Sequence, residues 1–129
     1  MPLKISLKPG EKFAINGAVI ANGDRRTSLV LQNKASILRE RDIIQAEDAT
    51  TPVRRIYFPI MMMYLDEDNF NQYFTEFQAR LSEFTDAVRL PEVIAVCVDI
   101  NKDVANKNYY AALKTCQNLF EFEEQLLAS

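Results

Sequence analysis

Two hydrophobic periods divide the chain. Near the start, Leu3, Ile5 and Leu7 alternate with Lys4, Ser6 and Lys8. A period of two predicts a half-buried strand. Pro9-Gly10 then turns the chain, and Phe13 and Ile15 alternate next. Asn16-Gly17 and Asn22-Gly23 bracket the apolar run from Ala18 to Ala21. Asn-Gly favours a type I′ hairpin turn, because both central residues need positive φ. Two such signals six residues apart predict a tight meander. Leu29, Val30 and Leu31 predict a further strand, and Ser36 to Leu38 another. The stretch Arg39 to Ile44 fits a strand end or a helical turn. Gln45 to Thr51 is polar and reads as a connection.

Beyond it the period lengthens. Thr51 is suited to cap a helix and Pro52 to open it. Val53, Ile56, Tyr57, Ile60, Met61, Tyr64 and Leu65 follow at helical spacing, interrupted by Pro59. That proline either kinks the helix or starts a new one. Phe70, Phe74, Phe77, Leu81, Phe84 and Val88 are spaced alternately four and three apart, which predicts an amphipathic helix with an aromatic seam. Val93 to Ile100 could be a helix or a buried strand, and Pro91-Glu92 in front favours a helix. Asn106-Lys107-Asn108 breaks the chain. Tyr109, Leu113, Cys116 and Phe120 then mark a last helix ending near Leu127. Strands first and helices after predict an α+β fold. A small antiparallel sheet (a meander or small barrel) over residues 1–50 would pack with a helical bundle over residues 51–129.

Composition narrows the chemistry. The 129 residues contain no histidine and no tryptophan. Histidine-based acid/base catalysis, nucleophile triads and most catalytic zinc sites are thereby excluded. Cys97 and Cys116 form no CxxC pair and read as small buried apolar residues. Asp66-Glu67-Asp68 lacks the ligand spacing of a calcium loop, so it reads as a helix end and the next helix's cap. There is no glycine-rich phosphate loop and no paired catalytic carboxylate constellation. We therefore expect a non-enzymatic protein with no metal and no cofactor. The start, Met1-Pro2-Leu3-Lys4, has no apolar signal core, and no apolar run approaches the ~20 residues of a membrane span. A cytoplasmic protein with reduced thiols is expected.

Charge separates the two periods. Residues 1–60 carry ten basic and six acidic side chains, a net +4. Residues 61–129 carry five basic and twelve acidic ones, a net −7. The basic half suits phosphate, where bound cations gain by releasing counterions. Its candidate contacts are Lys4, Lys34, the loop pair Arg25-Arg26, and Arg39 and Arg41. The last two would share one face if that segment were extended. Arg54-Arg55 near a helix start opposes the helix dipole, which hints at a partner. Met61, Met62 and Met63 cannot all face one side of a helix, so at least one should approach the surface, where thioethers suit an adaptable protein contact.

The residues from Pro2-Leu3-Lys4-Ile5-Ser6-Leu7-Lys8-Pro9-Gly10-Glu11-Lys12-Phe13 carry a resemblance. With Asn16-Gly17-Ala18-Val19, Gly23-Asp24-Arg25-Arg26, Leu31-Gln32-Asn33-Lys34-Ala35, Pro52 to Leu65 and Tyr109-Tyr110-Ala111-Ala112-Leu113-Lys114, they closely resemble the FlbT family of flagellin regulators. The resemblance covers nearly the whole chain. It implies a post-transcriptional regulator associated with the 5′ untranslated region of flagellin messenger RNA, controlling translation or message decay, with FlaF as an associated small partner. Asn33 to Gln45 is also similar to the end of carbon-storage-regulator RNA-binding proteins. It lacks their histidine, and Arg39 matches their arginine only with one residue inserted before Ile43. That similarity implies a β domain dimerising by shared strands, with RNA along the dimer edges at Lys4, Arg39 or Arg41.

Two functional expectations result. In one, the basic half binds the flagellin mRNA leader and blocks ribosome loading or exposes the message to nucleases. In the other, the acidic helices bind FlaF or flagellin through Met61–Met63 and the phenylalanine stripe, and RNA effects are indirect. A homodimer is an expected assembly in the first. Neither involves DNA or a membrane.

Overall fold

The structure, a computed structural model, describes residues 3–128. The chain forms two compact units, Met1–Ile43 and Ile44–Ser129. Five strands come first and four helices after, the predicted α+β order.

The first unit holds β1 (Leu3–Leu7), β2 (Lys12–Ile15), β3 (Ala18–Ala21), β4 (Thr27–Leu31) and β5 (Ile37–Arg39). They do not form a meander or a closed barrel. β1 pairs antiparallel with β4 in a two-stranded sheet, and the second sheet runs β3-β2-β5. Only Asn16-Gly17 makes the expected hairpin. Asn16 and Gly17 have φ of 50° and 89°, and Ile15 pairs with Ala18 across the turn. Asn22-Gly23 behaves differently, because its side chain is engaged far away in sequence. The Asn22 amide donates to the carbonyls of Lys8 at 2.8 Å and Arg25 at 2.9 Å, and the Gly23 carbonyl accepts from Gly10 N–H. The chain therefore leaves β3 and crosses to β1 instead of folding back. Ile5, Leu7 and Phe13 form the buried cluster, with Ile15, Leu31 and Ile37 packed around it. Ala14 and Leu38, paired across β2 and β5, are also buried.

Arg39 to Ile44 resolves into both alternatives. Arg39 ends β5 and Glu40–Asp42 make a 3₁₀ turn. The polar stretch from Gln45 belongs to the second unit, where Gln45 and Asp48 cap each other around the 3₁₀ turn Ala46–Asp48.

The second unit holds α1 (Pro52–Leu65), α2 (Phe70–Val88), α3 (Pro91–Ala105) and α4 (Tyr109–Ala128). α1 packs against both α2 and α4, and α3 against α4. Pro59 neither kinks α1 into two elements nor restarts it. It sits buried within one continuous helix, where packing offsets the missing backbone hydrogen bond. Flanked on two sides, α1 buries Val53, Ile56, Tyr57, Ile60, Met61 and Met63. Phe77 and Phe84 of α2 are buried, and Phe70 stacks on Phe74 at 5.3 Å. Val93 to Ile100 is helical, and Lys107 at φ 61° makes the break before α4.

The start of α1 is held by α4. Thr51 Oγ1 accepts from Arg54 N–H, and the buried Glu123 carboxylate accepts from Val53 N–H at 2.9 Å. An anion there also suits the helix dipole. Arg54 lies over the Phe120 ring at 5.2 Å, a local compensation for a cation in the first turn. Glu123→Ala strands the Val53 donor and is expected to cost about 2 kcal/mol. Thermal melting of the helical signal should fall by roughly 10 °C. Glu123→Gln keeps an acceptor and should recover most of that loss. Equal losses in the two variants would contradict this role.

Candidate nucleic-acid interface

The turn between β1 and β2 organises the cationic end of the first unit. Gly10 takes φ 72° there, and a side chain at that position would meet open space. Glu11 closes the turn by accepting from Lys8 N–H at 2.9 Å. Its other oxygen accepts from Arg39 Nη2 at 3.0 Å, and the same Nη2 donates to the Ser6 carbonyl at 2.8 Å. The Lys8 amide first, and the Arg39 guanidinium second, hold the Glu11 carboxyl below the usual carboxylate range. Glu40 accepts from Lys12 N–H at 3.2 Å. A cleft of about 620 Å³ lies among these groups, lined by Lys8, Pro9, Gly10, Glu11 and the run Arg39–Arg41.

The cleft gathers some predicted residues and leaves others out. Arg39 lines it but is tied to Ser6 and Glu11, which leaves its Nε and Nη1 hydrogens for a ligand. Arg41 lines it with a side chain 77% exposed, 4.0 Å from the Asp42 carboxylate. Arg39 and Arg41 do not share a strand face as an extended segment would require, because the strand ends between them. Arg25 and Arg26 are exposed in the β3–β4 loop. The Asn22 amide fastens that loop to the Lys8 turn, so both arginines belong to this end of the unit. Lys4 lies outside the group, on the exposed face of β1 opposite Val30. Lys34 is also outside it. The neighbouring Ser36 bonds Asn16, which places Lys34 at the far end of β2, about 10 Å along the strand.

Lys8 and Lys12 were not among the predicted contacts. They flank Pro9-Gly10-Glu11, and two lysines around a glycine turn were the available signal. With them, six cations meet four acids (Glu11, Asp24, Glu40 and Asp42), and three of those acids have backbone or guanidinium partners. The net charge of the group is positive, and Lys8, Arg39 and Arg41 line the cleft itself, which suits phosphate oxygens.

The helical unit offers a surface of another kind. A groove of about 530 Å³ is lined by Phe84, Val88, Leu90 and Phe122 together with Arg55 and Arg80. Arg80 is already paired with Glu76 and Glu83. The methionine triplet does not form a surface. Met61 and Met63 are 3% and 0% exposed, and only Met62 is half-buried. A residue on either side of a helix that is covered by two neighbours points into one of them. Cys97 and Cys116 are buried, and burial raises both thiols above their ordinary value, so both stay protonated at neutral pH. Among the described residues, no helix is long and apolar enough to cross a membrane.

Comparison with known proteins gives the chain its family. A family described as flagellar protein FlbT matches residues 3–127. A probable flagellum biosynthesis repressor protein FlbT from Caulobacter sp. (strain K31) is 59% identical over 127 residues, covering 98% of this chain and 97% of the relative. The flagellum biosynthesis repressor protein FlbT of Caulobacter vibrioides (strain ATCC 19089 / CIP 103742 / CB 15) is 57% identical, covering 98% of this chain and 90% of the relative. A probable repressor of the same name from Rhodopseudomonas palustris (strain TIE-1) is 38% identical, with 99% of each chain covered. No solved structure matches. These relatives carry the name of a regulator, not of an enzyme, and match the chain from the first strand into the last helix: the chain belongs to the FlbT family of flagellar proteins.

Proposed function

We propose that this protein regulates flagellar synthesis by binding the 5′ leader of flagellin messenger RNA. The names of its relatives, as repressors of flagellum biosynthesis, support the regulatory part. The observation that carries the RNA part is the cleft at Lys8–Glu11 and Arg39–Arg41, with Arg25 and Arg26 fastened beside it. Arg41, Arg25 and Arg26 meet phosphates or stack on splayed bases, and Arg39 presents a guanidinium held in place by Glu11. Occupying the leader blocks ribosome loading or opens the message to nucleases. No chemistry on the RNA is involved.

A titration of the pure protein against its flagellin leader at two salt concentrations tests this. With about six phosphate contacts, affinity should fall roughly 300-fold between 50 and 200 mM salt. The Arg25→Ala/Arg26→Ala double variant should bind more weakly and flatten the salt slope by about 1.4. Absence of binding by the folded protein would overturn the reading. Weight would then move to an adaptor that meets FlaF or flagellin through its helices, which the groove at Phe84, Leu90 and Phe122 supports.

A further inference from the structure

Strand β3 has β2 on one side and no strand on the other. Sheets usually blunt such an edge with charge, proline or a bulge, because its unpaired N–H and C=O groups template further pairing. Ala18-Val19-Ile20-Ala21 has no charge and no proline. All four residues are exposed, with Val19 at 62% and Ile20 at 41%. Successive side chains point to opposite faces, so aliphatic surface is uncovered on both sides of this strand.

The ladder shows which backbone groups are open. Asn22 N–H donates to the Glu11 carbonyl, towards the β2 side. In an antiparallel ladder, alternate residues direct their polar groups to alternate sides. Ala18 and Ile20 therefore face β2 like Asn22, and the N–H and C=O of Val19 and Ala21 point outward. Among the described residues, nothing pairs with them.

We propose that β3 is the seam of a homodimer, in which two copies pair this strand antiparallel about a two-fold axis. The parity sets the register. Val19 lies opposite Ala21 of the second copy, and each such pair exchanges two hydrogen bonds. Ile20 meets its own equivalent across the axis. The result is a six-stranded sheet in the order β5-β2-β3-β3-β2-β5. A second copy is the occupant because the strand complements itself: every outward donor finds an outward acceptor, and aliphatic side chains meet on both faces. The seam is short, so the dimer is weak and concentration-dependent rather than obligate. Arg39 ends β5 and Arg41 follows it, beyond β2, so each copy keeps its cleft. The inference does not rest on RNA binding, and it is tested without RNA.

Sedimentation of the whole chain from low to several hundred micromolar should show a mass rising from 14.8 kDa towards twice that. Ala21→Pro removes an outward donor that the β2 ladder does not use, a change an edge strand tolerates. It should weaken association at least tenfold. Ile20→Cys places two thiols across the axis at a Cβ separation of about 4.5–5.5 Å, close enough for a disulfide to form with slight adjustment. Mild oxidation should give a covalent dimer, because Cys97 and Cys116 are buried and do not compete. Val30→Cys, exposed on β4, should stay uncrosslinked. A monomer at every concentration would overturn the proposal. So would a dimer that Ala21→Pro leaves intact, or crosslinking at Val30 in preference to Ile20.

Discussion

Phe13→Ala is expected to unfold the first unit and leave the second folded. Phe13 is 2% exposed and is the one aromatic residue in a buried cluster whose other members are Ile5 and Leu7. Removing a buried phenylalanine side chain costs about 3–5 kcal/mol. A unit of 43 residues has a stability of only about 2–6 kcal/mol. The loss therefore equals most or all of the unit's stability. In an NMR spectrum, the dispersed amide signals of residues 3–43 should collapse while the helical signals persist. The proposed binding of the flagellin leader should disappear with them, since the cleft is built by the Lys8–Glu11 turn and β5. A spectrum that loses both units together would show that the two fold as one. A retained sheet would show that the cluster is less central than its burial indicates.

The second large effect separates three adjacent methionines. Met63→Ala should destabilise the helical unit by about 2–5 kcal/mol, since Met63 is fully buried and little can collapse into its space. Met62→Ala should change stability by less than about 1 kcal/mol, because Met62 is half-buried. Thermal melts followed by helical circular dichroism decide between them. If a protein partner does meet this stretch, only Met62→Ala should weaken it without first lowering the melting temperature. Similar melts for the two variants would place the triplet on a surface instead.

The methionines show where sequence reading reaches its limit. Spacing identified α1, its Thr51 cap and its opening Pro52, because caps and periods are local properties of consecutive residues. How many sides of that helix are covered is not local. It depends on α2 and α4 arriving from elsewhere in the chain. The same holds for Pro59, which a sequence read alone treats as a break and which packing on both sides holds in one helix.

The two Asn-Gly pairs make the contrast within a few residues. Asn16-Gly17 turns as its residues predict, since the type I′ conformation needs only those two positions. Asn22-Gly23 has the same residues and does not. Its amide spends its hydrogens on Lys8 and Arg25, and so replaces a meander with the β1–β4 pairing.

By itself, then, the sequence determined the order of strands and helices, the family, the absence of histidine chemistry and the basic character of the first half. The family came from a resemblance of whole segments, and the rest follow from composition, spacing and local turn preference. The tertiary structure decided which cations lie together. Arg25, Arg26, Arg39 and Arg41 gather with Lys8 and Lys12, while Lys4 and Lys34 stand apart. That grouping comes from three long-range hydrogen-bond sets, at Asn22, Arg39 and Asn16. A charge in a sequence records only that a cation is present. Its neighbours are set by strand pairing, and strand pairing is chosen by the burial of Ile5, Leu7 and Phe13 against one another.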